Sequence, residues 1–343
     1  MSDNESDEEQ QQQMEEIFIC DDIWYGVFPF LCPFDVGLKM ALISDRLDVL
    51  VDVHFKSREW SLGWLSIRRA DDGNGAQIVN YRSGGGLSIP QEPIPKKVIG
   101  FEMISISYID QSVIEFLQRF RRLFDSSGTT VDIDTNKYNS RSWQIIWQKI
   151  WPLVNDNICR FLSYSPTQFD CLRQITVAIP CNCPNLRSIY SFGLLPEFLA
   201  EDNAGASSRQ AVAKWLLTPR GDGLPKMLCC DFDSEGMDRL KGAFVNASEP
   251  VNFIISFLFD EADDFVPFEL ANELTREQLT LRRINEVKWL LVRCPIGREE
   301  DKWAKWEKET IQWAWNTGNC IIVNFQDSDI GDGMLDTKTG PSE

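Results

Sequence analysis

Residues 17–55 read IFICDDIWYGVFPFLCPFDVGLKMALISDRLDVLVDVHF, and this stretch decides how the N-terminal part of the chain folds. Its apolar residues recur at the three- and four-residue spacing of a helix, and they are more numerous than one helix face can hold. In the first half of the stretch they are Ile19, Ile23, Trp24, Val27, Phe28, Phe30 and Leu31. The excess predicts that something beyond the helix's immediate neighbours buries part of this surface.

Carboxylates and a proline divide this stretch into short helices. Asp21 and Asp22 stand in the first turn of the first helix, where carboxylates favour the free amides and the positive end of the helix dipole. Pro33 cannot continue a helix, so the first helix is expected to stop within two residues before it. Asp35 can then cap a second helix, in which residues 44–48 break the apolar pattern. The apolar residues of that second helix are Leu38, Leu42, Leu47, Leu50 and Val51.

The same stretch resembles the F-box, a small helical module, at nearly every fixed position and without a gap. The matches are Ile19 and Cys20 at its Leu-Pro, Asp22, Ile23 and Trp24 at its acidic-apolar-apolar step, Val27 and Phe28 at its Ile-Phe pair, Phe30 and Leu31 at its aromatic-Leu pair, Pro33, Asp35 and Val36 at its Pro-x-Asp-Leu turn, and Ser44, Arg46 and Leu47 at its Ser-x-Arg-Phe element. Cys20 and Leu47 depart from the usual proline and aromatic residue. Neither removes the apolar face, so we expect them to weaken binding rather than abolish it.

The resemblance implies that residues 17–57 bind a Skp-type adaptor and, through it, a cullin-RING ubiquitin ligase. The residues it assigns to adaptor binding, some of them as internal packing, are Ile19, Ile23, Trp24, Val27, Phe28, Leu31, Pro33, Asp35 and Leu42. One alternative stays open. The helices could instead pack on their own downstream domain and meet no partner.

The net charge of −18 is concentrated at the two ends of the chain. Residues 1–16 contain seven acidic residues and no basic one, and residues 326–343 contain five acidic residues against one lysine. Both segments are predicted to be disordered acidic tails because they are poor in aromatic and branched residues. The remaining excess is mild, and no cluster of Lys and Arg is present, which argues against nucleic-acid binding.

The composition favours an intracellular protein without a metal or cofactor. No apolar run approaches the ~20 residues that a bilayer requires, and the polar opening is the reverse of a signal peptide, so no membrane association and a cytoplasmic or nuclear location are expected. The ten cysteines are scattered, without a C-x-x-C pair, and His54 is the only histidine. They are therefore expected to be reduced thiols rather than zinc ligands.

The length of 343 residues suggests about two domains. Residues 58–100 predict a hairpin around the turn DDGNG, followed by a Gly- and Pro-rich linker. Residues 101–260 alternate strands and helices, one of which, beginning near Trp143, is expected to end at Pro152. This alternation favours an α/β or α+β fold with a parallel sheet, in an irregular array like that of leucine-rich repeats. The expected strands are 101–109, 131–133, 186–190, 227–232 and 251–259, and the expected helices are 113–124, 143–151, 207–217 and 237–245.

Residues 261–318 predict a three-stranded antiparallel meander and then a helix from Glu299 to about Trp315. Trp303, Trp306 and Trp313 form a stripe on that helix and are expected to pack against the meander. The phrases FELANELTREQLTLRR and WLLVRCPI, joined to an F-box-like N-terminal stretch, are similar to the lineage-expanded F-box proteins of nematodes. That resemblance implies a C-terminal region that selects protein substrates.

Candidate catalytic groups are few. A single histidine excludes histidine-based triads outside the F-box-like stretch, and His54 itself is expected to be partly exposed at a helix end. The acidic runs at 231–235 and 260–264 are interpreted as solvated loops because the glycine and glutamate of an EF-hand are missing. The glycines at 84–86 lack the Lys-Ser/Thr of a phosphate loop. The stretch TPRGDGLPK at 218–226 could be a recognition loop, although a simple connection is the favoured interpretation.

The sequence therefore predicts a non-catalytic substrate-recognition subunit of an SCF-type ubiquitin ligase. The F-box-like helices would bind the adaptor, and the region after them would bind an unknown protein target. The alternative is a protein-binding scaffold outside any ligase, in which these helices only cap the edge of the first repeat. A hydrolase of a type that needs no histidine is a third hypothesis.

Overall fold

A large mixed sheet runs through the chain in this computed structural model, which describes residues 18–56, 60–94, 98–125, 128–163, 165–175, 179–191, 193–194, 196–231, 234–258, 266–312 and 319–334. Helices cover the sheet, so the protein is of the mixed α/β class. The acidic segment 1–16, predicted to be disordered, lies outside the described residues.

Short helices form the N-terminal module, by which we mean residues 18–56. Helix α1 spans Asp21–Val27 and continues as a 3₁₀ turn at Phe28–Phe30; α2 spans Pro33–Asp35 and continues as a π-helical turn at Val36–Met40. The break before Pro33 falls where the sequence predicts it. The second predicted helix, however, is interrupted, because Ser44 caps a new helix, α3, at Asp45–His54.

Six strands follow the module, of which four belong to the main sheet and two form a small separate pair. They are β1 (Trp60–Ser61), β2 (Trp64–Arg69), β3 (Ala76–Asn80), β4 (Gly86–Ser88), β5 (Val98–Gly100) and β6 (Met103–Ile106). Strands β2 and β3 pair as the predicted hairpin, and β1 pairs with β5 apart from the main sheet. Gly73 and Gly75 both adopt positive φ in the turn, which residues with a Cβ rarely do.

The middle of the chain alternates helices and strands, as predicted. Its elements are α4 (Gln111–Asp125), β7 (Thr129–Ile133), α5 (Ser140–Ile145), α6 (Trp151–Val154), β8 (Ile158–Ser163), α7 (Pro166–Ile175), β9 (Ser188–Ser191), α8 (Ser208–Leu217), β10 (Lys226–Cys229), α9 (Ser234–Val245) and β11 (Phe253–Leu258). The expected end at Pro152 is wrong. A π-helical turn joins α5 to α6, and Pro152 lies in α6 directly after that turn.

The C-terminal meander is present, and a helix follows it. The strands are β12 (Phe268–Asn272), β13 (Glu277–Arg283) and β14 (Lys288–Pro295), all antiparallel, and β14 also pairs with β11. Helix α10 spans Glu300–Ile311, so it ends earlier than the predicted Trp315, and Trp313 lies outside the described residues. Trp303 packs against Leu290, Val292 and Cys294 of β14, as expected of the tryptophan stripe.

A last strand, β15 (Cys320–Val323), inserts between β6 and β7 and is parallel to both. In the described residues the sheet therefore has the order β12-β13-β14-β11-β10-β9-β8-β7-β15-β6-β2-β3-β4. One sheet thus connects the segments 58–100, 101–260 and 261–318, which the sequence separates. Within this main sheet the pattern changes between these segments coincide with changes in strand direction, while β1 and β5 remain a separate pair.

The segment after β15 is ordered as far as Met334, so the predicted disordered tail is wrong for residues 326–334. Asp327 accepts hydrogen bonds from the backbone N–H and the hydroxyl of Ser142, both at 2.8 Å. Ile330 forms an isolated bridge with Ile109, and Met334 is buried. These contacts fix the segment against α5 and the end of β6. The remainder, 335–343, lies outside the described residues.

The two faces of the sheet are covered by different elements. Alternate residues such as Val131, Phe161 and Ile255 join one core that also contains apolar residues of α4–α9. The opposite face carries Ile254, which Trp303 of α10 covers. None of the helices in the described ranges combines the length and the apolar character needed to cross a bilayer.

Candidate protein-binding site

Phe28 forms the centre of the N-terminal module. Its ring centroid lies 5.9 Å from that of Trp24 and 5.4 Å from that of His54, so it joins the end of α1 to the end of α3. Only 1% of Phe28 is exposed. Phe28 is thus one of the predicted residues that serve as internal packing, because its own chain encloses the ring.

Arg46 ties the start of α1 to the start of α3. Its guanidinium donates a hydrogen bond to the carbonyl of Ile19 at 2.7 Å, pairs with Asp21 and lies 4.1 Å from the ring centroid of Phe18. Ser44 accepts a hydrogen bond from the N–H of Leu47 at 3.3 Å. The Ser-x-Arg element thus caps α3 through Ser44 and holds the start of α1 against α3 through Arg46.

Asp35 has a structural role at the beginning of α2. It accepts a hydrogen bond from the thiol of Cys32 at 2.8 Å and pairs with the ammonium of Lys39 at 2.6 Å. Burial opposes ionisation of this carboxyl, but the thiol and the ammonium outweigh it and lower the pKa of Asp35. Asp35 is half-buried and its carboxylate is occupied within the module, although the sequence places it among the adaptor-binding residues.

One side of the module packs against the strands that follow it. The rings of Phe55 and Trp60 are stacked with centroids 4.5 Å apart. The indole of Trp60 also lies against the backbone of Gly37, and any Cβ at that position would collide with it. The buried side of the module is therefore continuous with the main core.

The other side of the module exposes apolar side chains. Eight of the seventeen large apolar residues that are exposed in the described part of the chain lie within residues 18–53. They are Phe18, Ile23, Val27, Phe30, Leu42, Ile43, Val49 and Val53. Ile23, Val27 and Phe30 follow the i, i+4, i+7 spacing of one helix face, and we call these three residues the α1 stripe. Ile23 is 55% exposed, Val27 36% and Phe30 89%, so Phe30 is the member of the stripe that the described residues cover least.

The predicted adaptor-binding residues fall into three groups in the structure. Ile23, Val27, Pro33 and Leu42 are exposed; Ile19, Trp24, Leu31 and Asp35 are half-buried; Phe28 is buried. The sequence-based set omits Phe18, Phe30, Ile43, Val49 and Val53. Phe30 could have been included, because it lies seven residues after Ile23 and so on the same helix face.

A groove with acidic walls lies beside α3. It has a volume of about 670 Å³ and runs between α3 and residues 90–94. Leu38, Ala41 and Ile94 form its buried apolar floor. Its carboxylates are those of Asp45, Asp48, Asp52 and Glu92, and none of the described residues lining it is Lys or Arg. We call this feature the acidic groove.

The loop at 218–226 borders a second cavity, of about 410 Å³, but its cations are held internally. Lys226 is buried and donates hydrogen bonds to the carbonyls of Trp215 and, at 2.6 Å, Thr218, which end α8. Burial lowers the pKa of Lys226 to about 8. Arg220 pairs with Asp222 at 2.6 Å. These contacts support the interpretation of this loop as a connection.

The other groups considered for chemistry also have internal partners or lie outside the described residues. His54 is half-buried at the end of α3, as predicted, with its ring 4.9 Å from that of Phe55. Asp231 accepts a hydrogen bond from the N–H of Gly193 at 2.7 Å, and residues 260–264 lie outside the described ranges. Within those ranges no group of three His, Cys, Asp or Glu residues is arranged to hold a metal ion.

No protein-family model matches the chain, no curated protein matches it, and no solved structure matches it. A functional interpretation therefore depends on the residues and the geometry described above.

Proposed function

We propose that this protein is a substrate-recognition subunit of an SCF-type ubiquitin ligase. In this proposal the N-terminal module binds a Skp-type adaptor and, through it, a cullin, while the sheet region binds a protein target. The supporting observation is the concentration of exposed apolar side chains on the module, together with the F-box spacing of its sequence. Exposed apolar patches of this kind mark protein-binding surfaces.

The α1 stripe is the best-placed part of the adaptor contact. Full burial of a large apolar side chain contributes roughly 1.5–3 kcal/mol, and a few such residues carry most of the energy of an interface. Phe30, the most exposed member, can enter a pocket on a partner without disturbing the module's own core. The buried Phe28 and the Arg46 contacts hold the stripe in a fixed position, which reduces the entropy lost on binding.

The target-binding part of the proposal is supported by the arrangement of the middle strands. Strands β7 to β11 lie side by side in chain order and are all parallel. This arrangement resembles a leucine-rich-repeat array, a type of architecture that presents extended binding surfaces. The insertion of β15 beside β7 departs from that pattern, because a repeat array adds its strands in sequence order.

The alternative of a scaffold with an N-terminal cap is favoured by a different observation. The stacking of Phe55 on Trp60 and the close approach of Trp60 to Gly37 attach the module to the strands that follow it. A cap uses this buried side alone. Adaptor binding requires the exposed side as well, so substitutions on the α1 stripe distinguish the two functions.

The test is binding of the full chain to a purified Skp-type adaptor, measured by isothermal titration calorimetry. We expect Phe30→Asp and Ile23→Asp each to weaken binding at least tenfold, a change of about 1.4 kcal/mol, because a carboxylate would be buried in an apolar interface. Leu274→Asp is the matched control, since Leu274 is 75% exposed on the β12–β13 turn. Absence of binding by the unmodified chain, or equal binding by Phe30→Asp, would contradict the proposal. Phe28→Asp is unsuitable as a probe because it would disrupt the module's core.

A further inference from the structure

We propose that the acidic groove binds a helical segment of a partner protein that carries Lys or Arg along one stripe and Leu- or Ile-type side chains beside it. The groove lies on α3 and residues 90–94, whereas the adaptor contact proposed above centres on the α1 stripe. This second site goes beyond the proposed function. Leu42, which the sequence assigns to adaptor binding, also lines the groove, so the tests below substitute other groove residues.

The charge of the groove is the first argument. Within the part of the chain that the structure describes, no ion pair involves Asp45, Asp48, Asp52 or Glu92. Elsewhere in the same module the carboxylates of Asp21 and Asp35 are paired with Arg46 and Lys39. Within the described residues the groove thus gathers four carboxylates without an ion pair, three of them on α3 and the fourth, Glu92, on the opposite wall. A partner that supplies cations would complete these interactions and gain electrostatic steering toward the groove.

The spacing of the carboxylates defines the shape of the partner. Asp45, Asp48 and Asp52 follow the i, i+3, i+7 pattern, so they lie along one side of α3 over a length of about 10 Å at 1.5 Å per residue. A partner helix with basic residues at the same spacing presents its charges at matching intervals. Glu92, on the opposite wall, offers a fourth acceptor to such a helix.

The apolar part of the groove supplies affinity that charge alone does not. Leu42 and Ile43 are exposed at one end, above the buried floor of Leu38, Ala41 and Ile94. Covering these two side chains removes apolar area from water, whereas exposed ion pairs contribute at most about 1 kcal/mol each. Pro90 and Pro93 restrict the backbone of the opposite wall, which keeps the groove open to an incoming segment. An acidic surface repels nucleic acid and anionic lipid, so a basic protein segment is the occupant that fits.

The test uses a fluorescein-labelled peptide of sequence LKKLLKLLKKLLKL and measures its fluorescence anisotropy with the full chain. The salt concentration is 150 mM, at which the Debye length is about 8 Å. The triple variant Asp45→Asn, Asp48→Asn, Asp52→Asn is expected to bind at least tenfold more weakly than the unmodified chain. The matched control is Glu269→Gln, Glu273→Gln, Asp301→Asn, which removes the same charge at exposed sites elsewhere and should change binding less than twofold. Equal losses in the two triple variants would overturn the proposal, because they would indicate attraction to the chain's overall charge.

Two further measurements separate the contributions. The peptide SKKSSKSSKKSSKS has the same charge without the apolar residues, and it is expected to bind at least tenfold more weakly than the leucine-containing peptide. Ile43→Ser, which removes an exposed apolar side chain at the end of the groove, should weaken binding of the leucine-containing peptide three- to tenfold. Equal binding of the two peptides, or unchanged binding by Ile43→Ser in a chain whose thermal unfolding is unaltered, would contradict an apolar groove.

Discussion

Asp132 is the most unusual side chain of the sheet. It lies on β7 between Ile322 of β15 and Leu162 of β8, only 3% of it is exposed, and its Oδ1 has no hydrogen-bond partner. Burial, with a smaller contribution from Asp134, raises the pKa of Asp132 to about 7. The folded chain therefore holds this carboxyl in its neutral form below neutral pH.

The raised pKa predicts that Asp132 makes stability decrease with pH. The folded pKa of about 7 lies above the ordinary value of 3.8 for an aspartate, so the unfolded chain releases the proton first and stability falls from about pH 4 to about pH 7. The full effect is on the order of 4 kcal/mol. We expect Asp132→Asn to gain stability relative to the unmodified chain between pH 5 and pH 8, as measured by urea unfolding. The control Asp301→Asn, on exposed α10, should show no such gain, and parallel pH profiles for Asp132→Asn and the unmodified chain would refute this assignment.

At the scale of elements, Gly37 allows the N-terminal module to pack closely against the strands that follow it. The module's π-helical turn at Val36–Met40 lies on the indole of Trp60, and Gly37 provides the close approach. Gly26 in α1 is a natural comparison because a Cβ there would meet nothing within 4 Å. The two glycines therefore have opposite expected responses to the same substitution.

We expect Gly37→Ala to destabilise the protein by about 1–3 kcal/mol, because the methyl group displaces the Trp60 ring from a packed core. Gly26→Ala is expected to be neutral or to stabilise by up to about 1 kcal/mol, because alanine favours helix more than glycine does. Both are measured by urea unfolding with tryptophan fluorescence. If Gly37→Ala were as stable as Gly26→Ala, the described contact between module and sheet would be incorrect.

Elements with a local pattern could be predicted, and those that depend on distant pairing could not. The turn DDGNG at 71–75 predicts the β2–β3 hairpin, and the stripe containing Phe116 and Phe120 predicts α4, because these signals need only neighbouring residues. The four residues of β15 are apolar and mostly β-branched, but nothing local indicates where they pair, and their position depends on β6 and β7, roughly two hundred residues earlier. The same limit applies to the candidate site. Phe28 and Phe30 are equally apolar, and only the packing of His54 around Phe28 shows which one is buried.

At the scale of the whole molecule, β15 connects the strands on the β6 side of the sheet to those on the β7 side, because it lies between β6 and β7. It pairs with β6 on one side and β7 on the other, and residues 327–334 then bind against α5 and the end of β6. The N-terminal strands and the parallel array are consequently stabilised by the same C-terminal segment.

Truncation after residue 318 is predicted to cause a global loss of stability. It removes β15, so the backbone amides and carbonyls of β6 and β7 that face this strand lose their partners. It also removes the buried side chains of Ile321 and Val323 from the core. We expect increased hydrogen exchange at 103–106 and 129–133 and a lower midpoint of thermal unfolding. The matched control is truncation after Met334, which keeps every described contact and should leave both measurements unchanged. Retention of native exchange rates in the shorter truncation would contradict the central position of β15.

The position of β15 also has a consequence for biosynthesis. Because a ribosome releases the chain from its N-terminus, β15 emerges after every other described strand of the sheet, although it occupies the middle of that sheet. The nascent polypeptide must therefore keep a gap between β6 and β7 until residues 320–323 have left the exit tunnel. During that interval both facing strand edges are exposed, and chaperones or proteolytic quality control have access to a sheet that closes only after its other described strands have been synthesised.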